Sequence, residues 1–126
     1  MLHETVMAQS PQSFLDGTSL DGPFHFFCPL ALNHRIASFV GGFPGLVNFA
    51  VKANPSEEVI AQMARQGITA FDVASVDEIE TVSRLCPDAD LHYHNPVRSR
   101  AEIAAGVAAG VASWSVDDPT ELDKLL

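Results

Sequence analysis

Four side chains able to do chemistry recur at even intervals. Lys52, Asp72, His94 and Asp117 lie 20, 22 and 23 residues apart. A lysine between small neighbours such as Ala50 and Ala53 is expected to be partly desolvated, which favours the neutral amine, the form that attacks an aldehyde. The same spacing also suits a strand-end lysine that merely carries its ammonium out to water. A carboxylate at Asp72 would hold Lys52 in its charged resting form or orient it; a structural hydrogen bond explains it equally well. His94 could line a ligand site or simply bond to a neighbour. The His92-x-His94 pair offers two nitrogens without an evident third ligand, so no metal is expected. Glu78 stands three residues after Ser75, where a capping role is the simpler account. Asp117 is assigned no chemistry.

These residues need elements to place them. Residues 1–22 are polar and turn-rich and read as a loose N-terminal arm. Pro23 to Leu32, with Phe24, Phe26 and Phe27, reads as a strand. Asn33 is placed as the cap of a short helix over His34 to Val40. The glycines and proline from Gly41 to Gly45 break the chain. From there the pattern is regular. Leu46 to Ala53 reads as a strand, and Glu57 to Gln66 as a helix ended by Gly67. Ile68 to Ala74 is a strand, and Ser75-x-x-Glu78 a capping box. Leu91 to Asn95 is a third strand, followed by a second capping box, Ser99-x-x-Glu102, with Gly110 as the stop. Val111 to Val116 is the fourth strand, and Asp118-Pro119 opens a last helix with proline at its favoured first position.

Strand, loop and capped helix repeated four times predict a parallel α/β fold. The alternation chooses between an open sheet and a barrel. Val47, Phe49 and Val51 share one face of the first strand; Asn48, Ala50 and Lys52 share the other. Phe71 and Val73 oppose Ala70, Asp72 and Ala74. Leu91 and Tyr93 oppose His92 and His94, and Trp114 and Val116 oppose Ser113, Ser115 and Asp117. A sheet covered on both sides would be apolar on both. One bulky and one small or polar face fits part of a (β/α)8 barrel, with the polar face inward and the chemistry at the C-terminal strand ends. Four units are half of such a barrel. A half alone leaves unpaired edges, so residues 23–126 are expected to be the first portion of a barrel domain or to need a partner.

Bulk composition narrows the field. Seven basic against sixteen acidic residues give a net charge of −9, which disfavours nucleic acid as a partner. No run approaches the roughly 18 apolar residues of a membrane span. Met1 to Gln12 lacks a basic stretch followed by an apolar core, so no secretory signal is read there. Cys28 and Cys86 form no CxxC pair and read as buried thiols of a cytoplasmic protein.

The segment Phe49-Ala50-Val51-Lys52-Ala53-Asn54-Pro55 resembles the motif around the cofactor-bonding lysine of the ornithine/diaminopimelate/arginine decarboxylases. Phe71-Asp72-Val73-Ala74-Ser75 with Glu78-Ile79, then Tyr93-His94-Asn95-Pro96-Val97-Arg98-Ser99, then Gly110-Val111 through Asp117 and Glu121-Leu122, resemble later segments of that family in the same order. The resemblance implies an alanine-racemase-type barrel holding pyridoxal 5′-phosphate (PLP), with Lys52 as its covalent anchor. It places Ala50, Asp72 and His94 around the cofactor and Asp72 beside the lysine. It implies an amino-acid substrate and a homodimer, or pairing with a remaining portion of the enzyme. The loop from Tyr93 to Val97 resembles the ornithine/arginine branch more than the diaminopimelate branch, which points to ornithine, with arginine, lysine and diaminopimelate as alternatives. The phosphate-binding loop, the ring-stacking residue and the acid on the pyridine nitrogen lie later than Leu126 in such enzymes. A non-catalytic barrel fragment that pairs with or regulates a full-length relative is the alternative from another class. An alanine-racemase or PLP-homeostasis relative fits less well, lacking these forms of the second and third segments.

Overall fold

The computed structural model describes residues 8–19 and 21–126. Four strands form one parallel sheet in the order β1-β2-β3-β4: Asn48–Ala50, Ala70–Val73, Asp90–Tyr93 and Ser113–Trp114. Asn48 pairs with Ala70, Ala70 with Asp90, and His92 with Ser113, so neighbouring strands advance in step. Because strand order follows chain order throughout, right-handed crossovers put every connecting helix on the same face. A doubly wound sheet would reverse direction; this one continues as a barrel wall does.

The helices are α1 (Pro11–Gly17), α2 (Pro29–Gly42), α3 (Glu57–Arg65), α4 (Val76–Leu85), α5 (Arg100–Ala108) and α6 (Pro119–Leu125). Val59, Ile60 and Met63 of α3 and Ile79 and Val82 of α4 pack against Phe71, Val73, Leu91 and Tyr93 of the sheet. Phe71, Val73 and Tyr93 are fully buried. The bulky face of each strand thus lies under the helices, as the alternation requires, and the opposite face carries Asp72, His92 and Ser113, all half-buried.

The caps form largely as their residues dictate. Ser99 and Glu102 make a reciprocal capping box, and Asp118 caps α6 with Pro119 in the first turn. Gly67 and Gly110 adopt φ of 91° and 75°, the left-handed conformation that ends the preceding helix. At Ser75 the box is skewed. Its hydroxyl accepts from the Glu78 N–H, but the Glu78 carboxylate reaches back to the Ala74 N–H at 2.7 Å.

Several expectations at the N-terminal side are corrected. Pro23 to Leu32 is not a strand: the chain runs irregularly to Cys28 and α2 begins at Pro29. Phe24, Phe26 and Phe27 have no sheet neighbour among the described residues and stay exposed, and aromatic β-propensity needs a paired, half-buried surface to act on. Pro29 instead supplies a helix's favoured first residue. Asn33 is therefore inside α2 rather than at its cap, and its side-chain oxygen accepts from Gln62. Within the expected arm, Ser10 caps the short helix α1, and Phe14 packs on Phe24 and Phe26 at centroid distances of 5.6 and 5.7 Å; residues 1–7 and 20 lie outside the described residues. The expected strand from Leu46 to Ala53 is shorter. It becomes a 3-10 turn over Val51–Ala53, closed by the Asn54 N–H on the Val51 carbonyl at 3.0 Å. Pro55 holds Asn54 extended, which stops the turn from growing into a helix.

Candidate active site

The C-terminal ends of β1, β2 and β3 carry the candidate residues. Ala50 pairs with Asp72 across β1 and β2, and Lys52 follows two residues later on the 3-10 turn. His94 lies one residue past β3, where its backbone N–H still bonds to the Val73 carbonyl at 3.2 Å, so the ladder outlasts the strand and fixes the main chain from which the ring projects. His94 Nδ1 stands 3.3 Å from the Asp72 carboxylate. On its other side, Nε2 is 3.3 Å from the Ser113 hydroxyl, which is itself 2.7 Å from His92 Nδ1. One continuous polar row therefore crosses the small-residue face from β2 to β4. The His92 and His94 rings stack at 5.8 Å with a tilt of 35°.

Two expectations about the site are corrected. Lys52 is exposed rather than partly desolvated, because the turn lifts it off the sheet and its neighbours Ala50 and Ala53 are too small to cover it. Among the described residues it forms no ion pair, Asp72 being engaged by His94 instead. Cys28, expected to be buried, is exposed at the start of α2, whereas Cys86 is buried. Desolvation raises the Cys86 thiol above its ordinary pKa and keeps it protonated and unreactive. Asp117 is exposed beyond β4 and joins no cluster.

Arg98, which carries no chemical signal in the sequence, is the buried residue that shapes this end of the sheet. The residue is 2 % exposed. One guanidinium nitrogen donates to the carbonyls of Tyr93 (3.2 Å) and Asn95 (2.6 Å), and the other to that of Ser115. The guanidinium carbon lies 5.4 Å from the Tyr93 ring centroid and 5.3 Å from that of Trp114, and those two rings are in turn 5.4 Å apart, so the cation packs against both rings of an aromatic pair. Lys124 of α6 donates to the Arg98 carbonyl, and Glu121 accepts from the Arg98 N–H. The loop carrying His94 is thereby tied to β4 and α6. The available signal was an arginine three residues beyond a strand, but charge there usually means a solvated loop.

The sequence profile of the pyridoxal-dependent decarboxylases, described as their pyridoxal-binding domain, matches residues 31–126. The chain belongs to this family. The lysine/ornithine decarboxylase of Selenomonas ruminantium is 38 % identical over 80 residues, covering 63 % of this chain and 20 % of the relative. The diaminopimelate decarboxylase of Vibrio cholerae is 31 % identical over 93 residues, covering 73 % of this chain and 22 % of the relative. Among solved structures, an SrLDC variant in complex with PLP superposes with a TM-score of 0.73 at 28 % identity, over 94 % of this chain and 32 % of that one. The chain thus spans about a fifth of the length of the curated relatives it matches. Its four parallel strands and their helices are part of the pyridoxal-binding barrel of these decarboxylases, whose cofactor is PLP. No helix among the described residues is long and apolar enough to cross a membrane.

The residues present fit the aldehyde end of that cofactor. Lys52 offers an exposed primary amine just past the end of β1, next to the small residues Ala50 and Ala53. Asp72, in register with Ala50 on β2, and His94 beyond β3 supply a carboxylate and an imidazole 3.3 Å apart at the same end of the sheet.

Proposed function

We propose that this chain is the cofactor-anchoring part of a cytoplasmic PLP-dependent decarboxylase of basic amino acids, with ornithine as substrate and putrescine as product. Residues 23–126 would be the first portion of the barrel and residues 1–22 an arm beside it. The observation that carries the reading is the placement of Lys52, unpaired and exposed at the end of β1, one strand from Asp72, in a chain matched to the family over residues 31–126. Ornithine is favoured by the Tyr93-to-Val97 loop and by the likeness to a lysine/ornithine decarboxylase.

Each residue then has a task. Lys52 would hold the cofactor through its Nζ amine, and the same nitrogen would hold or pass a proton during turnover. Asp72 orients Lys52 electrostatically from the next strand, and His94 holds the Asp72 carboxylate in place through Nδ1. Ala50 keeps the floor beneath the site low. When bound, PLP supplies the electron sink that decarboxylation needs. A homodimer, or pairing with a further portion of the enzyme, would close the barrel edges that β1 and β4 leave unpaired.

The test is to incubate the chain with PLP, reduce with borohydride and map the adduct by mass spectrometry. Stoichiometric labelling confined to Lys52 supports the reading and leads to decarboxylation assays with ornithine, lysine, arginine and diaminopimelate. Labelling shared with Lys124, the other lysine, or with the terminal amine, or no labelling, refutes this chain as a self-sufficient cofactor site.

A further inference from the structure

The polar row on the sheet's inner face has a definite proton order. His94 Nδ1 lies 3.3 Å from the Asp72 carboxylate, an ion-pair distance without an aligned hydrogen bond; a bare ring nitrogen there would be repelled by an ionised carboxylate, so the proton of a neutral His94 belongs on Nδ1. A neutral imidazole carries one proton, which leaves His94 Nε2 as a bare acceptor. Its partner 3.3 Å away, the Ser113 hydroxyl, must therefore donate to it. With that proton committed, Ser113 Oγ can only accept from its second neighbour, so His92 must also present Nδ1–H, at 2.7 Å. The bonds all run in one direction, from β3 through β4 and back to β2. His92 Nε2 ends the row as a buried nitrogen without a partner, and the row makes it a bare acceptor rather than an orphaned donor. That is the less costly way to leave a buried nitrogen unpaired.

We infer that Ser113 and His92 are positioning residues that lock His94 in its Nδ1–H tautomer, with that proton beside Asp72. They act through His94, whose side chain is 40 % exposed and would otherwise rotate freely. Two neighbouring strands thus set the surroundings of the Asp72 carboxylate, which stands in register with Ala50, two residues before Lys52. The inference deepens the proposed PLP site and rests on it for its catalytic meaning, but the proton order can be read without cofactor.

The experiment uses the full 126-residue chain labelled with 15N-histidine, observed by two-bond 1H–15N correlation at about pH 8, above the ordinary imidazole range. His92→Gln and His94→Gln variants assign the signals. The expected result is Nδ1–H for both rings. Ser113→Ala should move His92 to the Nε2–H form, and Ser113→Thr, which keeps the hydroxyl, should restore the original pattern. Either ring carrying Nε2–H in the parent chain, or a His92 signal indifferent to Ser113→Ala, overturns the inference. A second readout is the rate of PLP labelling at Lys52, expected to fall several-fold in Ser113→Ala and recover in Ser113→Thr. An unchanged rate refutes the positioning role. If PLP fails to label Lys52 in the parent while the tautomers stand as stated, the cofactor reading fails and the proton order survives.

Discussion

Replacing Arg98 with alanine should destabilise the chain by about 3–5 kcal/mol, the balance of its hydrogen bonds and packing against the cost of burying its charge. The guanidinium makes three charge-assisted hydrogen bonds to carbonyls, those of Tyr93, Asn95 and Ser115. At roughly 1.5–3 kcal/mol each, these sum to about 4.5–9 kcal/mol. Burying the charge costs several kcal/mol in return, and that cost vanishes with the side chain. The void left beside the Tyr93 and Trp114 rings and the orphaned carbonyls add to the destabilisation. Against a whole-domain stability near 0.05–0.15 kcal/mol per residue, the expected effect is a large fraction of the total. Urea unfolding followed by the fluorescence of Trp114, the single tryptophan, measures it directly. Arg98→Lys keeps the charge but loses the planar fork and should fall between parent and alanine variant. Arg98→Met keeps volume without donors. If Arg98→Ala shifts stability by less than about 1 kcal/mol, or Arg98→Met matches the parent, the hydrogen-bonded strap is not what holds this end of the sheet.

Other outcomes follow from the same structure. Gly106→Ala should destabilise by about 1–2 kcal/mol in thermal unfolding: helix propensity favours alanine by about 1 kcal/mol, but overpacking costs up to about 3 kcal/mol. The added methyl would overlap Cη2 of the Trp114 ring, with Cζ2 also within 3.1 Å, and Arg98 and Tyr93 pack against the same ring. A more stable Gly106→Ala variant contradicts that packing. Lys52→Arg keeps the charge but offers no amine for imine formation, so borohydride-fixed PLP at this position should disappear while the unfolding midpoint stays within error. Hydrogen bonds from the Ser99 backbone and side chain hold the Glu102 carboxyl below its usual range. A depressed folded pKa contributes stability that is complete above the unfolded value, about 4.3, and is lost as pH falls below it. Glu102→Gln should therefore flatten the stability–pH curve below about pH 5, and an unchanged curve would remove Glu102 from acid unfolding.

The amino-acid pattern by itself determined the strand–helix repeat, the inward and outward faces and most of the caps, because these depend on period and on residues near in sequence. Lys52 was legible as a motif, and Asp72 and His94 as inward residues at strand ends. Only tertiary structure decided how they meet. His94 touches Asp72 because β2 and β3 pair in one register, and Ser113 joins them because β4 adds in step. No local rule carries either fact, since each contact spans some twenty residues of chain. Exposure was also a tertiary outcome. Ala50 and Ala53 suggested a sheltered lysine, but shelter comes from what packs over a residue, and the turn at Val51–Ala53 lifts Lys52 clear. Phe24, Phe26 and Phe27 had strand-like side chains but no strand to pair with, and propensity without a partner did not form one. Arg98 shows the converse: a charge that reads as solvated in sequence is buried because three carbonyls and two aromatic rings from two strand ends converge on it.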